Sequence, residues 1–462
     1  MAKPDVNVKG KDYHALPNIP EDLFRFICRD TYSLLVKGYA GTGKTTLALT
    51  ILNVLGIKNN FFYISTRLSP KQLFQYYPWL EDFVQQSAAH GTHLSQDREM
   101  MSVFEDARLD EPESLFERIT NQLMDIKSPI IIIDSWDAIA SFMDREARLN
   151  NERVLQTWRE RAGAKLIFIS EQPADTTLDF LVDGIVELKQ SYYNNVKMRE
   201  IFLQKLRGTR INRPSFLYTL ENSIFYSFTP HQRIKFEAHR RDAADLLEVP
   251  TVDTIQTGYP VLDASLDSGF PKKGIVLLEL DSHVNMTIAL MFLQRIVSNL
   301  VVSGNPVLLQ PVSWMDPSSI SHFFETSLPP NKKSLFKILW SRKNLSADQL
   351  LGALVKTKQK YRNKILLNIM SSESLQNLHS TKNGRGTLTN MLSRISTHAD
   401  LSIVLLNRSQ ADILDTVSEV SNIHLRLMLI NDTLFLQSLV PSSNLYSLIF
   451  DRRLHMTLKP VV

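Results

Sequence analysis

The apolar positions of the first half of the chain fall into short, separated blocks. Tyr32–Val36 and Ile130–Ile133 are near-continuous apolar runs of strand length, and Ala164–Gln172 (AKLIFISEQ) is a third that ends in polar residues. After the first run, Lys44–Leu55 places Leu47, Leu49, Ile51, Leu52 and Leu55 at helical spacing and stops at Gly56, a residue suited to follow a helix end. A second helix is expected over Asp144–Lys165. Val154, Leu155, Trp158 and Ala162 form its apolar face, and Arg145, Arg148, Arg153, Arg159 and Arg161 fall largely outside it. Those arginines read either as a solvated helix face or as a surface that binds a partner. Strands alternating with helices predict an α/β fold with an open sheet.

The totals narrow the class without naming a function. A length of 462 residues suggests two or three domains, and 44% hydrophobic with 22% charged residues is ordinary for a soluble globular protein. Lys and Arg number 52 against 48 Asp and Glu, an excess of four that neither demands nor excludes nucleic acid. Cys28 is the only cysteine, so no intrachain disulfide forms and a reducing, cytoplasmic setting is expected. The opening MAKPDVNVKGKDYH has no apolar stretch of signal-peptide length, and no uncharged apolar run is long enough to span a bilayer, so no membrane association is expected. His90 and His93 form an H-x-x-H pair without further ligands nearby and read as loop residues rather than a metal site.

The chemistry lies between the first strand and the first helix. Gly38–Thr45 reads G-Y-A-G-T-G-K-T, the spacing of a phosphate-binding loop, in the required strand–loop–helix setting. Glycines let backbone N–H groups curl around phosphate oxygens, and the helix that follows turns its positive end toward them. The expected nucleotide contacts are Gly38, Tyr39, Ala40, Gly41, Thr42, Gly43, Lys44, Thr45 and Thr46, with ATP and Mg²⁺ as cofactors. Lys44 supplies charge for the β- and γ-phosphates, and the Thr45 hydroxyl is a Mg²⁺ ligand. The run Ile130–Ile133 delivers Asp134 where its carboxylate can hold the metal's water shell beside Thr45. Asp137 reads as a helix N-cap in preference to a second acid. Ser170, Glu171 and Gln172 end the third strand, placed either to sense a γ-phosphate or simply to meet solvent.

With Leu181–Leu188 (LVDGIVEL) and Arg199–Leu220, the loop and IIIIDS resemble the RecA-type ATPase core of the KaiC and RadA group. The resemblance implies tandem RecA-like P-loop domains, because Thr251–Leu280 is similar to the opening of a KaiC domain. There the loop is replaced by Asp281–Thr287 (DSHVNMT), which has no glycine and no Lys-Thr pair. The counterpart of the Asp134 strand, Lys364–Glu373 (KILLNIMSSE), has no aspartate, while Leu401–Leu427 corresponds to the stretch after Ala164. The expected layout is an ATP-binding domain over 1–230, a basic linker over 231–250 and a degenerate domain over 251–462. The linker's basic positions are His231, Arg233, Lys235, His239, Arg240 and Arg241.

The same family carries a K-x-R-G segment that reaches a neighbouring subunit's nucleotide. Lys205 and Arg207 match it, which implies a trans-acting finger in a homo-oligomer; from the residues alone they are two basic groups before a turn. KaiC-like domains also end the strand after the loop helix in a pair of glutamates, one of which activates water. Here Asn60–Pro70 puts Thr66 and Arg67 in that place, and neither is an efficient general base. Arg67 either pairs with the γ-phosphate or points to solvent. Glu171 is the remaining acid able to substitute and is therefore the catalytic candidate.

The N-terminal nucleotide site, degenerate second half, arginine-rich stretches and Phe61–Leu80 (FFYISTRLSPKQLFQYYPWL) resemble the archaeal gas-vesicle regulator family GvpD. That resemblance implies a protein partner of the transcription-activator kind and a nucleotide switch with slow or no hydrolysis. A ring-forming KaiC-like ATPase and a recombinase-like DNA-binding ATPase are the alternatives.

Overall fold

Ile130–Asp134 (IIIID) is buried along its whole length, as a β-branched run must be when helices cover both faces of a parallel sheet. It is the fourth strand of the first of two large sheets in the computed structural model of the protein. The structure describes residues 18–57, 60–81, 102–107, 112–123, 127–174, 178–231, 253–310, 315–340, 346–373, 375–376, 384–451 and 455–462. The chain divides into two compact units, one reaching Phe228 and the other covering Thr229–Val461.

In the first unit the strands are β1 (Tyr32–Gly38), β2 (Phe61–Ser65), β3 (Ser102–Asp106), β4 (Ile130–Asp134), β5 (Lys165–Ser170), β6 (Gly184–Tyr193), β7 (Val196–Leu206), β8 (Ser215–Thr219) and β9 (Tyr226–Ser227). Their order across the sheet is β3-β2-β4-β5-β1-β6-β7-β8-β9. The first six run parallel, with β1 between β5 and β6, and the last three return antiparallel. Strand alternation sorts the side chains into two apolar layers. Leu34, Val36, Ile130 and Ile132 pack with Leu47, Ile51 and Leu52 of the helix Lys44–Leu55. Leu35, Ile131 and Ile133 pack on the other face with Trp136, Leu155 and Trp158.

The second unit has a two-stranded ribbon of β10 (Thr254–Ile255) and β11 (Phe270–Pro271). Its large sheet contains β12 (Gly274–Leu280), β13 (Val307–Leu309), β14 (Phe336–Ile338), β15 (Leu367–Ser371), β16 (Leu401–Asn407), β17 (Ile423–Ile430), β18 (Thr433–Val440), β19 (Leu445–Phe450) and β20 (Met456–Pro460). The order β14-β13-β15-β16-β12-β17-β18-β19-β20 repeats the first sheet strand for strand. The fold is tandem RecA-like α/β.

The basic helix forms over Arg145–Ala162 and buries Leu155 and Trp158 as its spacing predicts. Arg159 departs from the expectation of a free basic face. Its guanidinium donates to Asp183 at 2.8 Å, because the loop before β6 brings that carboxylate under the helix. Arg161 is exposed, and the side chains of Arg145, Arg148 and Arg153 lie outside the described residues. So do His90, His93 and every linker residue from 232 to 250. Among the described residues, no helix is long and apolar enough to cross a membrane and no cluster of His, Cys, Asp and Glu could hold a metal ion.

Candidate functional site

The loop after β1 is a cradle that side chains would fill. Gly38 has φ 150°, and a Cβ there would lie 2.5 Å from the Leu188 carbonyl oxygen on β6. Gly43 enters the helix at φ 90°, where a Cβ would fall 2.6 Å from the Leu220 side chain. Both positions need glycine. Tyr39, Ala40 and Gly41 form the exposed rim, while Thr42, Lys44 and Thr46 are buried. Lys44 Nζ donates to the carbonyls of Gly38 at 2.7 Å and Tyr39 at 2.9 Å, which lays its ammonium across the loop. Burial pulls its pKa below the usual lysine value, with Glu171 and Asp134 acting against that fall. The loop is braced by Thr42 Oγ1 donating to the Tyr39 carbonyl at 2.8 Å and by Tyr218 donating to the Thr42 carbonyl at 2.5 Å. Thr46 shares a 3.1 Å hydrogen bond with the Tyr77 hydroxyl.

Asp134 closes one side of this cradle. Its Oδ2 accepts from Thr45 Oγ1 at 2.6 Å and from the Tyr63 hydroxyl at 2.6 Å. Burial raises the Asp134 carboxyl above its usual range despite these two donors and nearby Lys44 and Arg67. The same burial, reinforced by Asp134, holds the Tyr63 phenol well above the normal tyrosine value. Thr66 stitches the ends of β2 and β4 together. Its N–H donates to the Asp134 carbonyl at 2.8 Å, and its hydroxyl accepts from Ser135 N–H at 3.0 Å.

The Arg67 side chain, 54% exposed, lies just past the end of β2. It forms an ion pair with Glu171, joining the ends of β2 and β5. Asp137 is not an N-cap: Ser135 holds the cap position, and Asp137 lies in the first turn of the helix Trp136–Ala140. From there its carboxylate accepts from Ser170 Oγ at 2.9 Å and from Glu171 N–H at 2.5 Å, because β5 ends beside that turn. Asp137 therefore fixes the backbone that carries Glu171. Glu171, Asp134 and Asp137 work to raise the Lys44 pKa and Arg67 to lower it.

The residues present fit a nucleoside polyphosphate with its metal. Open backbone donors, a buried ammonium and a hydroxyl–carboxylate pair are the parts such a ligand requires. Lys205 and Arg207 are not part of this cluster. Leu206 pairs with Gly184 at the foot of β6, whereas Gly38 pairs with Leu188 four residues higher. Lys205 Nζ donates to the Asp179 carbonyl at 2.9 Å and Arg207 pairs with Asp183 at 3.2 Å.

The matching crevice of the second unit has other contents. β1 and β12 are both seven residues long and start level with their parallel partners, so Leu280 stands in place of Gly38 and Glu279 in place of Lys37. By the same register, Ser371 replaces Asp134. The helix Met286–Val302 caps itself, with the Asn285 side chain accepting from Thr287 N–H at 3.1 Å. Asp281 pairs with Arg408 at 3.0 Å at the mouth of the crevice. Fully buried Glu279 meets His424 at 2.7 Å and Arg426 at 2.9 Å. Burial works to raise its pKa, but these two partners prevail and hold the carboxyl below its usual range. The Lys37 position is equally buried and carries the opposite charge, paired with Asp179.

Sequence reading missed Tyr63 and Tyr218. Tyr63 was detectable only as a residue sharing a face with Phe61 on the strand beside β4, and nothing local marks Tyr218.

Residues 23–204 match the family model described as the GvpD gas vesicle protein, P-loop domain. Two relatives come from Halobacterium salinarum. Protein GvpD2 is 26% identical over 288 residues, covering 59% of this chain and 57% of its own length. Protein GvpD1 is 26% identical over 295 residues, covering 61% and 54%. The chain thus spans little more than half the length of these curated relatives. Residues 23–204, which include the loop and Asp134, match a P-loop domain of the GvpD type, and the chain is similar to the GvpD proteins.

Proposed function

We propose that the protein is a regulatory switch of gas-vesicle formation that binds Mg·ATP in its first unit and acts on a protein partner of the transcription-activator kind. The observation that carries this reading is the convergence of Lys44, the Thr45–Asp134 pair and the Arg67–Glu171 pair around one glycine cradle. Lys44 leaves the loop carbonyls to meet phosphate oxygens. Thr45 and Asp134 hold the metal and its water. Bound Mg²⁺ supplies charge neutralisation between the outer phosphates.

Turnover is slow in this reading. Thr66 is committed to backbone at the end of β4, and Glu171, the carboxylate read as able to orient water, is engaged by Arg67. A γ-phosphate competes with Glu171 for the Arg67 guanidinium, so the two nucleotide states differ in what Arg67 holds. That difference is the output element of the switch. Lys205 and Arg207 lie by the foot of β6, at the other end of that segment from their own loop, which supports a homo-oligomeric contact in which they serve a neighbour's site.

Titration calorimetry with Mg·ATP, run beside a steady-state hydrolysis assay, tests the proposal. One nucleotide binds per chain, Lys44→Ala abolishes binding, and hydrolysis stays well below about 1 s⁻¹, the low end of ordinary enzyme rates. Two nucleotides per chain, undiminished binding by Lys44→Ala, or turnover at or above that rate would each defeat it.

A further inference from the structure

Arg199 sits on β7 opposite Gln190, two residues beyond the Leu188–Ile201 pair that stands level with Gly38. This part of the β6–β7 hairpin rises past the end of β1 to the height of the phosphate loop. Ile201 and Leu203 face the same apolar layer as the helix that follows the loop. Arg199 shares that face by alternation. Directly across from it on β8 is Tyr218, whose hydroxyl holds the Thr42 carbonyl inside the loop. Arg199 is thus one side chain away from the loop, on the loop's side of the sheet.

Its surroundings are unusual for an arginine. Only 9% of the residue is exposed, and its Nε and Nη1 are buried without a hydrogen-bond partner. Burying guanidinium donors with nothing to receive them is costly, and a ligand that receives them removes that cost. The ligand class that matches several fixed N–H donors and a full positive charge is phosphate.

We propose that Arg199 is a phosphate-recognising residue of the nucleotide site, its guanidinium turning out of this buried position to donate to phosphate oxygens of the nucleotide held in the Gly38–Thr45 loop. The proposal rests on the nucleotide reading given above and adds a contact that the loop motif does not contain. It also separates two effects that a structural residue would couple. Without nucleotide, Arg199 is a cost to the fold; with nucleotide, it is a source of affinity.

The test compares the full chain with Arg199→Met and Arg199→Gln, using Mg·ATP and adenosine as ligands and the melting temperature of the nucleotide-free protein. Both variants lose about tenfold to a hundredfold in Mg·ATP affinity, the range for a hydrogen bond to a charged group. Their weak binding of adenosine, which has no phosphate, is unchanged. Arg199→Met melts about 2–4 °C higher than the wild type without nucleotide. Wild-type ATP affinity in both variants, or a lowered melting temperature in both, would overturn the assignment while leaving the loop's role intact. Failure of the wild type to bind Mg·ATP would remove the nucleotide reading itself, and the Arg199 contact with it.

Discussion

The hydroxyl of Tyr63 donates to Asp134 Oδ2 at 2.6 Å, on the oxygen that also accepts from Thr45. A carboxylate 9% exposed at the end of β4 is thereby held by one donor from the neighbouring strand and one from the loop helix. Tyr63→Phe removes the strand's donor and leaves the shape. Thr45 still donates to the same oxygen, so the fold should lose about 0.5–1.5 kcal/mol, the usual net worth of one hydrogen bond. Urea denaturation of the nucleotide-free protein measures this, and a midpoint equal to the wild type's would mean that the bond contributes nothing.

Asp134 also predicts a pH dependence. Its folded carboxyl lies above the ordinary aspartate value of 3.8 because burial disfavours the charge. Below that value both folded and unfolded chains are protonated there, and the group contributes no difference. As pH rises past it, the unfolded chain gives up its proton first and stability falls until the folded carboxyl ionises. Asp134→Asn cannot show this fall. The variant should gain stability relative to the wild type as pH rises from about 4 toward neutrality, while losing Mg²⁺-dependent nucleotide binding. Chemical denaturation of the two proteins across that range gives the difference, and a flat difference would contradict the buried-charge account.

Glu171 and Arg67 give a prediction of opposite sign for affinity and rate. Glu171→Gln frees the guanidinium from its carboxylate partner and removes negative charge near the phosphates. The pair is partly solvated, with side-chain exposures of 54% for Arg67 and 28% for Glu171, so the gain is small. Mg·ATP should bind about twofold to fivefold more tightly, while residual hydrolysis falls to background. Weaker binding would show that Arg67 never exchanges partners.

Arg159 bears on how a partner surface should be probed. Reversing it to Glu places two carboxylates together at Asp183, a site only 17% exposed, and should cost the fold about 2 kcal/mol or more. Thermal melts would reveal that loss. A docking test therefore reverses Arg148, Arg153 and Arg161 instead and asks whether a captured partner is released while melting temperature is kept.

The strand–loop–helix motif, the Asp134 strand and the doubled architecture were legible because each is written in contiguous residues. Gly38–Thr45 needs no distant partner to be recognised, and IIIID announces a buried strand with a polar end. The Arg67–Glu171 pair and the Asp137–Ser170 bond were not legible. They join residues 104 and 33 positions apart and exist only because β2, β4 and β5 end side by side. Asp137 carries the local signature of a cap and a different actual role, since the neighbouring strand offers its carboxylate better donors than the helix does. Arg159 fell outside the apolar stripe, as the helix pattern required, yet the loop before β6 brings it a partner that no helical pattern could reveal.

The strand-for-strand agreement of the two sheets gives this molecule an internal reference. Each position around the glycine cradle has a register mate of different chemistry in the same chain: Gly38 with Leu280, Asp134 with Ser371, Lys37 with Glu279. Any agent that perturbs RecA-like sheets in general, such as heat, salt or crowding, reaches both halves of one sample at the same concentration. A nucleotide effect can therefore be read as the contrast between two halves of a single polypeptide, without a second protein for comparison.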